Sequence, residues 1–282
     1  MSAELTVTSI HVYPIKSCRA IDLKAARLDE LGLSFDRRLM VVDAETSRFL
    51  SQRDEPRMAL IAPQLGPTSL QVTAPNMPQL KVDTRREGQR RDVTVWGFTG
   101  PAEDCGENAA SWISSVLERS CRLVRWADDV QREVSPKRVG PGVLTAFTDG
   151  YPILITTEGS LEDLNGRAKE RVPMNRFRPN IVIKGAAAFA EDTWKRLRVG
   201  EVEIDVVKPC SRCAITTVDA ISAKRGKEPL ATLATFRLHE NETWFGQNCI
   251  HRSLGSIRVG DAVEVLETGP TSPPIAPDLS PA

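Results

Sequence analysis

The chain has no surplus charge of either sign: 37 lysines and arginines balance 37 aspartates and glutamates across 282 residues. Bulk electrostatics therefore give it no nucleic acid or acidic membrane as a partner, and any anion site must be a local cluster of basic side chains. Long hydrophobic runs are also missing. No stretch approaches the roughly 18 apolar residues of a membrane helix, and "MSAELTVTSIHVYP" lacks the basic-then-apolar order of a secretion signal. There is no G-x-G-x-x-G dinucleotide fingerprint, no ferredoxin-type C-x4-C-x2-C cluster and no haem-attachment C-x-x-C-H. The six cysteines are too sparse for the disulfide framework of a small secreted domain. A cytoplasmic protein with reduced thiols is expected, with no membrane and no nucleic acid among its partners.

What is present is mainly short, β-prone segments. "LTVTSIHVYPI" (5–15), "RLMVVD" (38–43), "RMALIA" (57–62), "SLQVTA" (69–74) and "DVTVWG" (92–97) read as strands separated by proline, glycine or charge clusters. A helix is expected over 107–119, where Ala109, Trp112, Ile113, Val116 and Leu117 form one apolar face. "CRLVRW" (121–126) reads as a strand, and the polar stretch 127–142 as a linker or long loop. Further on, 151–157, 180–185, 201–208, 213–219 and 262–267 read as strands, and 160–170 as a helix that Ser160 can cap. Residues 269–282, rich in proline and serine, read as a disordered tail. The fold class is mainly β with a few helices (α+β), barrel-like sheet with helices packed outside.

The chemistry concentrates in "KPCSRCAITTVD" (208–219). A structural zinc site needs four ligands, commonly two close pairs. Cys210 and Cys213 supply one pair, while Cys249 and His251 are too tightly spaced for the usual second. A thioredoxin-like dithiol expects a helix after C-x-x-C, yet "AITTV" is β-prone. The cysteines could also be small buried apolar side chains. Against that, Lys208, Ser211 and Arg212 crowd the pair, and cationic neighbours favour the metal-binding thiolate. Asp219 reads as a turn former, and His11, His239 and His251 as structural.

Several strings together resemble the MOSC domain: "KPCSRCAITTVDA", "NRFRPNIVI" (175–183), "SLEDLN" (160–165), "FGQNCI" (245–250) and "IRVGDAVEVL" (257–266). "VYPIKSC" (12–18), "FDRRLMVVD" (35–43) and "SQRDEPRMALI" (51–61) resemble the β-rich domain that precedes it. The pairing is similar to the mitochondrial amidoxime-reducing components and their bacterial relatives, in order from about residue 5 to residue 267. The resemblance implies a β-rich N-terminal domain over 1–126, a linker or long loop over 127–142 and a β-barrel-like MOSC domain over 143–268.

It also implies a molybdenum enzyme using Mo-molybdopterin, with the Cys213 thiolate on the metal. Cofactor contacts map by motif onto Lys16, Ser17, Arg37, Ser160, Arg178, Asn180, Ser211 and Arg212, four of them cationic. Arginine suits the phosphate of such a group because its planar fork donates two parallel hydrogen bonds. The implied reaction is two-electron reduction of small N-hydroxylated substrates (amidoximes, hydroxylamines, N-hydroxylated bases). Its electrons would come from an external flavin, iron–sulfur or haem protein. Two other readings stay open: a sulfur carrier or cofactor-handling protein with a persulfide on Cys213, and a zinc-stapled β protein.

Overall fold

A computed structural model describes residues 4–83 and 88–273. Its largest sheet has nine strands, in the order Val263–Thr268, Trp194–Val199, Val202–Arg212, Glu242–His251, Ile153–Thr157, Ile181–Lys184, Thr6–Val12 and Ile21–Leu23, with Leu238–His239 paired to Glu242–His251 off this path. Neighbours are antiparallel except Ile153–Thr157 and Ile181–Lys184. That parallel pair needs a crossover, which includes the helix Glu158–Arg167. Alternating apolar residues (Val7, Ile10, Val12, Ile181, Ile183, Leu197) close the core of this sheet.

A second core is built from Leu39–Asp43, Ala62–Leu65, Ser69–Thr73, Leu80–Asp83, Cys121–Trp126 and the helix Glu107–Leu117. The helix buries Ala109, Trp112, Ile113 and Leu117, the face its spacing predicts. Among the described residues there are four α-helices in a strand-dominated fold; the α+β class read from the sequence is the observed one.

The two cores are interleaved along the chain. Thr6–Val12 lies between Ile181–Lys184 and the edge strand Ile21–Leu23, so two first-half strands complete a sheet otherwise made by the second half. Ala25–Asp29 pairs with Gly255–Arg258. The stretch 127–142 contains the short helix Pro136–Val139, and Val134 and Val139 are buried against Ile250. Of the proline-rich end, Gly269 and Ser272 donate backbone N–H groups to Thr193 and Asp192 carbonyls; residues 274–282 lie outside the described residues.

Three local expectations are corrected. Residues 57–62 form no continuous strand: Pro56–Leu60 is a 3-10 turn, favoured by Pro56 at its start, and pairing begins at Ala62. Residues 213–219 form a 3-10 turn over Ala214–Thr217 despite their β-branched composition. Thr216 Oγ1 donates to the Cys213 carbonyl at 2.9 Å and Thr217 Oγ1 to Ala214 at 2.8 Å, so local hydroxyl bonds replace a sheet ladder. The helix expected from Ser160 starts earlier, at Glu158, and Thr157 caps it by accepting from the Ser160 N–H.

Candidate active site

Cys213 immediately follows the long strand Val202–Arg212, where extended backbone gives way to the tight turn. The strand is irregular on its way there. Register shifts occur between Val206 and Lys208 and again between Pro209 and Ser211. Bulges re-aim side chains, and Lys208, Cys210, Ser211, Arg212 and Cys213 all reach one cavity of about 360 Å³. That volume falls in the range of small-molecule sites.

The opposite wall comes from the first half. Lys16 and Ser17 lie where the chain leaves the large sheet for the second core, Lys16 N–H donating to the Leu39 carbonyl at 2.8 Å. Arg37, Arg178 and Asn180 line the same cavity and bind one another. Arg37 Nη1 donates to Asn180 Oδ1 at 3.2 Å, and Asn180 Oδ1 also accepts from the Leu154 N–H at 3.1 Å. Tyr13 is wedged among them, with both guanidinium carbons 4.2 Å from its ring centroid. Burial pushes the Tyr13 hydroxyl up to about 12 against the pull of those two arginines, and it donates to the Pro179 carbonyl at 3.1 Å.

Ser17, Arg37 and Arg178 all have left-handed backbones, with φ of 65°, 48° and 56°. Such conformations are costly for non-glycine residues and collect at binding sites held rigid by their surroundings.

Charge in the cavity is one-sided. Lys16, Arg37, Arg53, Arg178, Lys208 and Arg212 face a single lining carboxylate, Asp149. Lys16 pairs with Asp149 and Arg37 with Asp36. Among the described residues no carboxylate lies within ion-pair distance of the other four. Burial pulls the Lys16 ammonium down to about 8, although Asp149 opposes the shift. Burial would raise the Asp149 carboxyl, but Lys16 and Arg53 outweigh it and hold it well below the usual carboxylate range. Asp149 stays 61% exposed, crowded by cations yet open to the cavity.

The two sulfurs meet different arginines. Arg53 Nη2 donates to Cys213 Sγ at 3.2 Å. Arg212 Nη1 donates to Cys210 Sγ at 2.8 Å, and its Nη2 donates to the Phe177 carbonyl at 2.5 Å. The remaining Arg212 donor, Nε, is buried with no partner. Among the described residues no three His, Cys, Asp or Glu side chains converge to hold a metal. Cys249 is sealed in the core, where burial pushes its thiol far up. Among the described residues the zinc staple therefore finds no ligand set.

Seven of the eight residues expected beside Cys213 line its cavity. Ser160 does not. It is fully buried, and its hydroxyl donates to Glu191 Oε1 at 2.7 Å while accepting from the Phe189 N–H at 2.7 Å. Sequence reasoning missed Arg53, Trp96 and Asp149. Arg53 stood inside a string already matched, "SQRDEPRMALI", but nothing local distinguishes it from a surface cation.

Two family models cover the chain: the MOSC N-terminal beta barrel domain matches residues 4–120 and the MOSC domain residues 142–264. This chain is a MOSC protein. "Mitochondrial amidoxime reducing component 2" of Bos taurus is 34% identical over 92% of this chain and 82% of its own length. "Mitochondrial amidoxime-reducing component 1" of Mus musculus is 36% identical over 93% and 82%, and its Homo sapiens counterpart 34% identical over 93% and 83%. The MOSC chain belongs with these relatives along most of its length.

Proposed function

We propose that this MOSC protein is a molybdenum-cofactor-dependent reductase of N-hydroxylated compounds, receiving electrons from a separate donor protein. The carrying observation is the cavity where four cations, with no carboxylate partner among the described residues, surround the Cys210 and Cys213 sulfurs, the latter at the turn after the strand. Such a site demands an anionic ligand that also takes a thiolate. A pterin dithiolene with its phosphate and metal fits: Cys213 would hold the metal, and Lys16, Ser17, Arg37, Arg178, Asn180, Ser211 and Arg212 the organic part. When bound, the group supplies a two-electron redox centre able to accept oxygen from nitrogen.

The protein's own residues do the rest. The bulged strand and the turn after it aim the Cys213 sulfur into the cavity, and Arg53 fixes it there with a hydrogen bond. Lys16, with its ammonium near 8, can hold or release a proton next to Asp149. The names of the relatives support amidoxime-type substrates. All six cysteines are unpaired, which suits a reducing compartment, and we place the protein in the cytoplasm on that ground; cell fractionation tests the placement.

Freshly purified protein should carry about one molybdenum and one pterin per chain and reduce an amidoxime when an electron-transfer partner is supplied. Zinc in place of molybdenum would refute the reading. A persulfide on Cys213 without pterin would transfer the site to sulfur carriage.

A further inference from the structure

One ring in the cavity wall is not among the residues proposed to hold the cofactor. Trp96 occupies the turn between Arg90–Val95 and Phe98–Asp104, with a left-handed backbone at φ 54°. It lines the Cys213 cavity and is 41% exposed. Phe177, another aromatic of the lining, is fully buried and stacked on Phe245 with centroids 3.9 Å apart, so its ring is spent on packing.

The indole is exposed but not loose. Its Nε1 donates to Asp149 Oδ1 at 3.2 Å. Phe49 packs against it with ring centroids 4.9 Å apart. The Arg53 guanidinium lies 4.9 Å from its centroid, and the same guanidinium donates to Cys213 Sγ. A fixed aromatic surface therefore stands one side chain away from the sulfur that would hold the reacting centre. Rigid indoles bind planar groups well because stacking adds to area burial and little side-chain freedom is lost.

We propose that Trp96 is the specificity-determining wall of the substrate subsite, stacking on planar, π-conjugated N-hydroxylated compounds such as aryl amidoximes in preference to aliphatic ones. The proposal rests on the reductase reading and specifies a preference within it. Asp149 and Phe49 set the orientation of the wall, and Arg53 ties its position to that of Cys213.

The test uses the purified holoenzyme and its Trp96→Ala and Trp96→Phe variants. Calorimetry measures binding of benzamidine and acetamidine, the planar aryl and small alkyl products, so this readout does not depend on turnover. Wild type should prefer benzamidine. Trp96→Ala should weaken benzamidine about tenfold, a drop in the range of one aromatic contact, while Trp96→Phe stays within about threefold of wild type. The kcat/KM ratio of benzamidoxime to acetamidoxime should fall about tenfold in Trp96→Ala. An equal fall for aryl and alkyl ligands, no fall for either, or loss of pterin from Trp96→Ala would each overturn the assignment. Should wild type reduce neither amidoxime, the reductase reading fails by itself, and the calorimetric comparison still decides whether Trp96 is the wall.

Discussion

Two clusters of buried charge in this fold meet opposite fates. Around Cys213 the excess is positive and faces an open cavity. Around Glu191 and Asp192 the excess is negative and sealed: the two are 0% and 2% exposed. Glu191 takes hydrogen bonds from Ser160 and Thr157, while Asp192 takes Arg237 at 2.8 Å and Gln247 Nε2 at 2.8 Å. The acidic cluster finds its partners within the chain, so it is structural. The basic cluster leaves four members without a carboxylate partner among the described residues, the pattern of a site completed by something from outside.

The comparison can be broken in either place. The largest effect is expected from Cys213→Ser, which should bring amidoxime reduction to background and shift the melting temperature by no more than about 2 °C, because the half-exposed sulfur packs little. Loss of fold alongside activity would make Cys213 a core residue. Arg53→Ala comes next, lowering activity about 10–100-fold, as removal of groups that orient a metal ligand does. Urea titration should show its stability within about 0.5 kcal/mol of wild type.

The acidic cluster should respond in the other currency, stability. Burial, with help from the neighbouring Asp192, lifts the Glu191 carboxyl from 4.5 to about 7 against the Ser160 and Thr157 hydrogen bonds. The folded state thus keeps a proton that the unfolded chain has lost. This contribution is complete below 4.5 and is lost as pH rises through 7. Denaturant titrations from pH 5 to 8 should show a decline on the order of 2–3 kcal/mol, flattened in Glu191→Gln. Ser160→Ala should destabilise by about 1–3 kcal/mol and leave pterin content unchanged; a drop in pterin would restore Ser160 as a cofactor contact. The smallest change belongs to Cys210→Ser. The hydroxyl can still accept from Arg212, and activity should fall less than about tenfold.

Ser17 and Ser160 show what the sequence can and cannot reveal. Both sat in strings that matched the family, and both were expected at the cofactor. Ser17 lines the cavity in a left-handed backbone that no glycine or asparagine announces. Ser160 turns inward to Glu191, a residue 31 positions away that no local pattern links to it. The apolar face of Glu107–Leu117 and most strands were legible because burial imposes a period. Ala214–Thr217 was not, because threonine hydroxyls satisfying their own turn look the same in sequence as threonines in a strand. Arg53 and Trp96 were invisible for a further reason: distant chain connections bring them to Cys213.

The placement of Thr6–Val12 inside the large sheet has a consequence for anyone wishing to excise the half that carries Cys213. The family boundary at residue 142 is not a line along which the molecule can be cut. A fragment starting there would retain Cys213 but expose Ile181–Lys184 as a bare edge, with the row of donors and acceptors that Thr6–Val12 now occupies. Such a fragment should clump or borrow a strand from a second copy, and it would also lack Lys16, Ser17, Arg37, Arg53 and Trp96, so transplanting this cavity onto another scaffold means carrying the first half with it.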